Sequence, residues 1–112
     1  MSDSPESRRA ERKAVEPPAT VEDVISGQVI GRIGNLSRTG LMLICNRQLG
    51  DDALYQLRFS LPAREGVAAC TLEVGVHEQW TQQAADHTQH WSGVRIIDIG
   101  PKAEAQLVEW LG

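Results

Sequence analysis

The sequence is poor in aromatic residues and in cysteine, and it contains no long apolar run. Three Trp, one Tyr and one Phe make up 4% of its 112 residues. So few rings, with no run of paired ones, argue against a single-strand nucleic-acid surface built from stacked aromatics. No apolar run approaches the ~20 residues that a membrane helix needs. Met1–Arg12 is polar throughout and lacks the apolar core of a signal peptide, which gives a cytoplasmic expectation. Cys45 and Cys70 are the two cysteines, and in a cytosolic protein they stay reduced. His87 and His90 lie three apart with no Cys or His at zinc-finger spacing, so no metal is expected. There is no Ser/His/Asp or Cys/His arrangement and no Gly-rich phosphate loop ahead of a helix, and Asp51-Asp52 falls in a turn. No enzyme is expected.

What is present is an uneven charge. Net charge is −4, yet Arg8, Arg9, Arg12 and Lys13 crowd into six positions. With Glu11 they give +3, which leaves −7 for the remainder. An acidic body speaks against general nucleic-acid binding, whereas a local arginine cluster suits an anion. Met1–Ser7 is polar and reads as a disordered tail; residues 8–19 form a basic arm and a Pro17-Pro18 linker; residues 20–112 form the folded domain.

Within that domain the apolar pattern alternates. Val21–Ile25, Gln28–Ser37, Gly40–Cys45, Leu54–Leu61, Ala68–Trp80 and Trp91–Ile99 are the expected strands, with Gly27, Gly50-Asp51-Asp52 and Pro62–Gly66 as turns. Tyr55, Leu57, Phe59 and Leu61 share one face of their strand, as do Cys70, Leu72, Val74, Val76 and Trp80 of theirs. After Pro101 the period changes, and Ala103, Leu107, Trp110 and Leu111 form a helical stripe. Six antiparallel strands in so short a chain are most economically closed into a barrel, with the helix packed on it. An open sandwich is the alternative.

The stretch Gly34-Asn35-Leu36-Ser37-Arg38-Thr39-Gly40 between two of these strands is richer in polar groups than a hairpin requires. A strand continued through Ser37 places Asn35 and Ser37 on one face, ready to hydrogen-bond a ligand. The competing reading is a polar turn in which Ser37 or Asn35 bonds its own backbone. Trp80 is left with two readings as well, as a cap on the core or as a stacking surface at the rim.

Arg8-x-x-x-Arg12 followed by Asn35-x-Ser37-x-x-Gly40 resembles the paired signature of the PilZ domain family. Val76-x-x-x-Trp80, Gly93-Val94-Arg95 and the terminal Trp110-Leu111 fall where that family has equivalents, so the resemblance spans about residues 8 to 111. It implies a six-stranded antiparallel barrel with a C-terminal helix and a flexible N-terminal arm, which binds the bacterial second messenger cyclic di-GMP. Arg8 and Arg12 match the arginines that contact phosphate and guanine. Asn35, Ser37 and Gly40 match the barrel motif, and Arg9 stands where an arginine is common. Two positions depart from the pattern: Asn35 replaces the commoner Asp, and Ser7 precedes the first arginine. The implied output passes through an unidentified downstream protein, in motility, biofilm or related responses. Two rival functions are a ligand-free interaction module of the same fold, as in pilus assembly, and a small nucleic-acid-binding barrel.

Overall fold

Hydrophobic alternation becomes strand pairing through most of the described residues ahead of the C-terminal helix. The computed structural model describes residues 12–16 and 18–112. In order these form β1 (Lys13–Ala14), β2 (Thr20–Asp23), β3 (Gln28–Leu36), β4 (Gly40–Cys45), β5 (Leu54–Leu61), β6 (Cys70–Gln83), β7 (His90–Ile99) and the helix α1 (Pro101–Leu111). All pairings are antiparallel, in the spatial order β3-β2-β5-β6-β7-β4 with β4 returning to β3. That last pairing closes a six-stranded barrel, as expected from the sequence. The two-residue β1 is an addition: it lies in line with β2 along the same edge of β3, with Lys13 opposite Leu36 and Ala14 opposite Asn35. Val15, read from sequence as part of the linker, is buried at 2% exposure. An apolar residue beside a paired strand is drawn into the core even when prolines follow.

Side chains alternate on β5 as its sequence predicts, with Leu57, Phe59 and Leu61 buried. Its outer side carries a ladder of Arg58 to Glu22 and Glu73 (3.4 and 3.6 Å) and Ser60 to Thr71 (2.8 Å). β3 breaks the alternation. Ile30, Ile33 and Leu36 are all fully buried at three-residue spacing. Two bulges permit this, one at Ile30 against β2 and one at Gly34 against β4. A further bulge on β7 leaves Ile97 without a partner between Asp98 and Ile96, and turns its side chain to solvent.

The helix starts at Pro101, whose missing N–H costs nothing at that position, and ends at Gly112 with φ +90°. Leu107, Trp110 and Leu111 are buried and Ala103 packs beside them. The Trp110 indole N–H donates to Pro62 O (2.8 Å), and Arg64 both stacks on that ring and donates to Trp110 O (2.6 Å). One cation thus serves a ring face and the carbonyl-rich end of the helix.

Candidate functional site

The connection between β3 and β4 is three residues long, residues 37–39, and Leu36 pairs with Leu41 across it. Ser37 begins it. The strand stops at Leu36, so Asn35 and Ser37 do not share a strand face as the sequence reading supposed. Ser37 is fully buried; its Oγ accepts from the N–H groups of Thr39 and Gly40 (both 3.2 Å) and donates toward Gly40 O (3.3 Å). The Ser37 N–H donates to Gly40 O (2.9 Å). The hydroxyl therefore ties off its own turn. Gly40 is required for a different reason. A Cβ there would lie 2.4 Å from Val94 O, so only glycine lets β4 approach β7 at this point.

Asn35 faces outward, next to the Gly34 bulge. Its Oδ1 accepts a hydrogen bond from Arg12 Nη1 at 2.9 Å. That contact follows from the register: β1 runs beside the end of β3, and Arg12 immediately precedes it. Two motifs separated by 23 residues thus touch at one rim of the barrel. Arg8 and Arg9 lie outside the described residues.

Beside this contact a cleft of about 200 Å³ opens, lined by Arg12, Thr39, Gly40, Gln79, Trp80, Gly93, Val94 and Arg95. Two cations and no carboxylate face it among the described residues, which suits an anionic ligand. Trp80, expected on the inward face of its strand, is instead 46% exposed. Gln79 is an extra residue between Glu78 (opposite Val94) and Trp80 (opposite Gly93), and one extra residue inverts every side chain beyond it. The indole lies flat over Gly93, where a Cβ would sit 2.2 Å from its Nε1. Glu78, just before the bulge, keeps the inward phase of Leu72, Val74 and Val76 and is buried; its carboxylate accepts from the Asp52 N–H (2.8 Å) and the Thr81 hydroxyl (2.6 Å). Thr81 continues to Ser92 Oγ (2.9 Å). His77 bonds Asp52 on the outer side.

Sequence reasoning does not find Gln79 or Arg95 as site residues, because register and a bulge bring them to the cleft. The Gly93-Val94-Arg95 segment was the one available signal for Arg95. A wider depression of about 680 Å³ lies along α1, but one element lines it and it holds no motif residue. Among the described residues no three His, Cys, Asp or Glu side chains group as metal ligands, and no helix is long and apolar enough to cross a membrane. Burial pushes the Cys45 thiol up to about 11, against smaller opposing effects of the Ser92 hydrogen bond and the Arg47 charge.

No curated protein matches the chain. Among solved structures it resembles the Bacillus subtilis inhibitor of motility, MotI/DgrA, with a TM-score of 0.71 at 11% identity. The match covers 98% of this chain and 50% of that one, so the chain spans about half the length of that protein. It also resembles the PilZ domain of Escherichia coli YcgR, solved with c-di-GMP, with a TM-score of 0.55 at 14% identity over 92% of this chain and 87% of that one. At such identities the likeness is one of fold. The PilZ domain family model matches residues 6–112, and on that match, with the closed barrel and its paired motifs, the chain belongs to the PilZ domain family.

Proposed function

We propose that the chain is a cyclic di-GMP receptor whose site is the rim where Arg12 meets Asn35. The contact between those two side chains carries the reading, since it joins the basic segment to the barrel motif. The chain's resemblance to a PilZ domain solved with c-di-GMP adds to it.

In this reading Arg8, Arg9 and Arg12 grip phosphate and the O6/N7 edge of a guanine, for which a guanidinium fork is matched. Asn35 offers both a donor and an acceptor to the other guanine edge, whereas the commoner Asp only accepts. Ser37 and Gly40 act by shape, holding the turn and the β4–β7 approach. Arg95 adds a second cation, and the exposed face of Trp80 gives a base a surface to stack on. Binding fixes residues 8–11 over the rim, at a cost of ~1–2 kcal/mol per ordered residue. Each charge-assisted bond returns roughly 1.5–3 kcal/mol, so the barrel groups, already in place, supply the surplus. The ordered arm then presents a new surface to a downstream protein, in the cytoplasm of a bacterium. The domain binds and signals, and catalyses nothing.

One observation favours a second reading, a ligand-free interaction module. Ser37 Oγ is satisfied by its own turn, and Asn35 Oδ1 by Arg12. Calorimetric titration with cyclic di-GMP separates the two. The receptor gives saturable binding that Arg8→Ala or Arg12→Ala abolishes, while no heat up to the order of tens of micromolar ligand leaves the module.

A further inference from the structure

The barrel is closed, but β6 is longer than the strand beside it. β5 covers Cys70–His77 from one side, and the last backbone bond on that side joins the Glu78 N–H to Ala53 O (2.8 Å). β7 continues along the other side as far as Gln83. Among the described residues no strand lies against the β5 side of Gln79–Gln83. This is an open sheet edge of five residues, and it is a template for another strand.

Two other edges of the fold are protected. The outer edge of β1 carries Arg12, Lys13 and Glu16 and is followed by Pro18, the charges and proline that discourage pairing. The end of β7 at the opposite rim leads into α1, which packs against β6. Gln79-Trp80-Thr81-Gln82-Gln83 has no charge and no proline. Exposed apolar side chains surround it: Trp80 on the edge, Trp91 opposite Gln82, and Leu54 where β5 stops.

We infer that this edge pairs with the same edge of a second copy of the chain, antiparallel about a twofold axis at Thr81. The segment is self-complementary in that register. Gln79 faces Gln83 of the second copy, Trp80 faces Gln82, and no like charges oppose one another. Amide side chains meet amide side chains, and the two indoles lie on a diagonal within reach of each other. A partner of strong charge of either sign finds nothing here to complement. The pairing uses the backbone edge of β6 and goes beyond the ligand reading; because Gln79 and Trp80 also line the cleft, it is tested in the absence of cyclic di-GMP.

Sedimentation equilibrium on the full chain, without ligand, tests it. The expected result is a reversible shift from 12.3 kDa toward twice that mass with rising concentration. Amide exchange slows at residues 79–83 over the same range. Gln79→Lys with Gln83→Lys opposes like charges twice across the axis and weakens dimerisation by about tenfold or more. Gln79→Lys with Gln83→Glu pairs opposite charges and restores it, with both variants checked by circular dichroism for the native fold. A wild-type chain that stays monomeric at about millimolar concentration, far above a specific dimer's dissociation constant, overturns the inference. So does a dimer whose exchange at 79–83 ignores concentration, or one that the two-lysine variant forms equally well. Protection of the edge in the monomer, by the chain's own residues, overturns it too.

Discussion

At the scale of single residues, Ser37 and Asn35 have exchanged importance. The sequence presents them as equivalent polar groups two apart. The structure gives Ser37 a buried structural task and leaves Asn35 at the surface beside Arg12. Ser37→Ala strips an acceptor from one buried and one half-buried backbone N–H, and a loss of about 1–3 kcal/mol in urea unfolding is expected. Asn35→Ala removes one exposed hydrogen bond, and about 0.5–1 kcal/mol is the most it costs. A binding defect in the first variant reports turn shape; in the second it reports a lost contact. Cys45 sets a pH dependence. Its folded pKa is raised from 9.0 to about 11 by burial, so the unfolded chain ionises first. The thiol therefore favours the folded state fully below pH 9, and that advantage fades as pH rises from about 9 to 11. Urea midpoints of wild type and Cys45→Ala across this range should converge, because only the wild type carries the ionisation. The residue types of the site were readable in the sequence. Their partners were not, since the Ser37 bonds depend on where β3 stops and the Arg12 bond on where β1 pairs.

At the scale of elements, periodicity found β5 and α1 because neither contains an irregularity. It failed on β6, where the single extra residue Gln79 sends Trp80 outward, while Glu78 before it stays on the inward face. No count of apolar residues reveals such a bulge: Trp80 inward fits the alternation better. The inversion has an energetic anchor, because Glu78 holds the Asp52 N–H and the Thr81 hydroxyl. Glu78→Ala leaves both without their partner and should lower unfolding stability by about 2–3 kcal/mol, whereas Glu78→Gln keeps an acceptor for the backbone and costs less than half of that. Trp80 fluorescence reports the same element. Native-state emission should shift in Glu78→Ala as the bulge relaxes and the indole leaves Gly93, and stay near the wild-type position in Glu78→Gln.

For the whole molecule, closure through β3 and β4 decides where the basic segment goes. One edge of β3 is taken by β4; the other holds β2 and then, in line, β1. The barrel itself was legible from six alternating stretches and from the family resemblance. The docking of Lys13–Val15 was not, because a lysine, an alanine and one valine with a proline-rich sequel carry no strand signal. The segment is thereby divided in role within four residues. Val15 belongs to the core and Arg12 to the rim. Val15→Ala removes two buried methyl groups and should cost about 1.5–3 kcal/mol, including the space left behind, yet leave cyclic di-GMP affinity within about threefold while the protein is folded. Arg12→Ala should do the reverse. Loss of one exposed hydrogen bond changes stability by about 0.5 kcal/mol, while loss of a charged fork on phosphate or guanine weakens binding by about tenfold or more. Thermal melts and calorimetry on the two variants read both quantities. If Arg12→Ala unfolds the domain as readily as Val15→Ala, or binds the ligand as well, the basic segment is a structural strap and the receptor reading loses its observation.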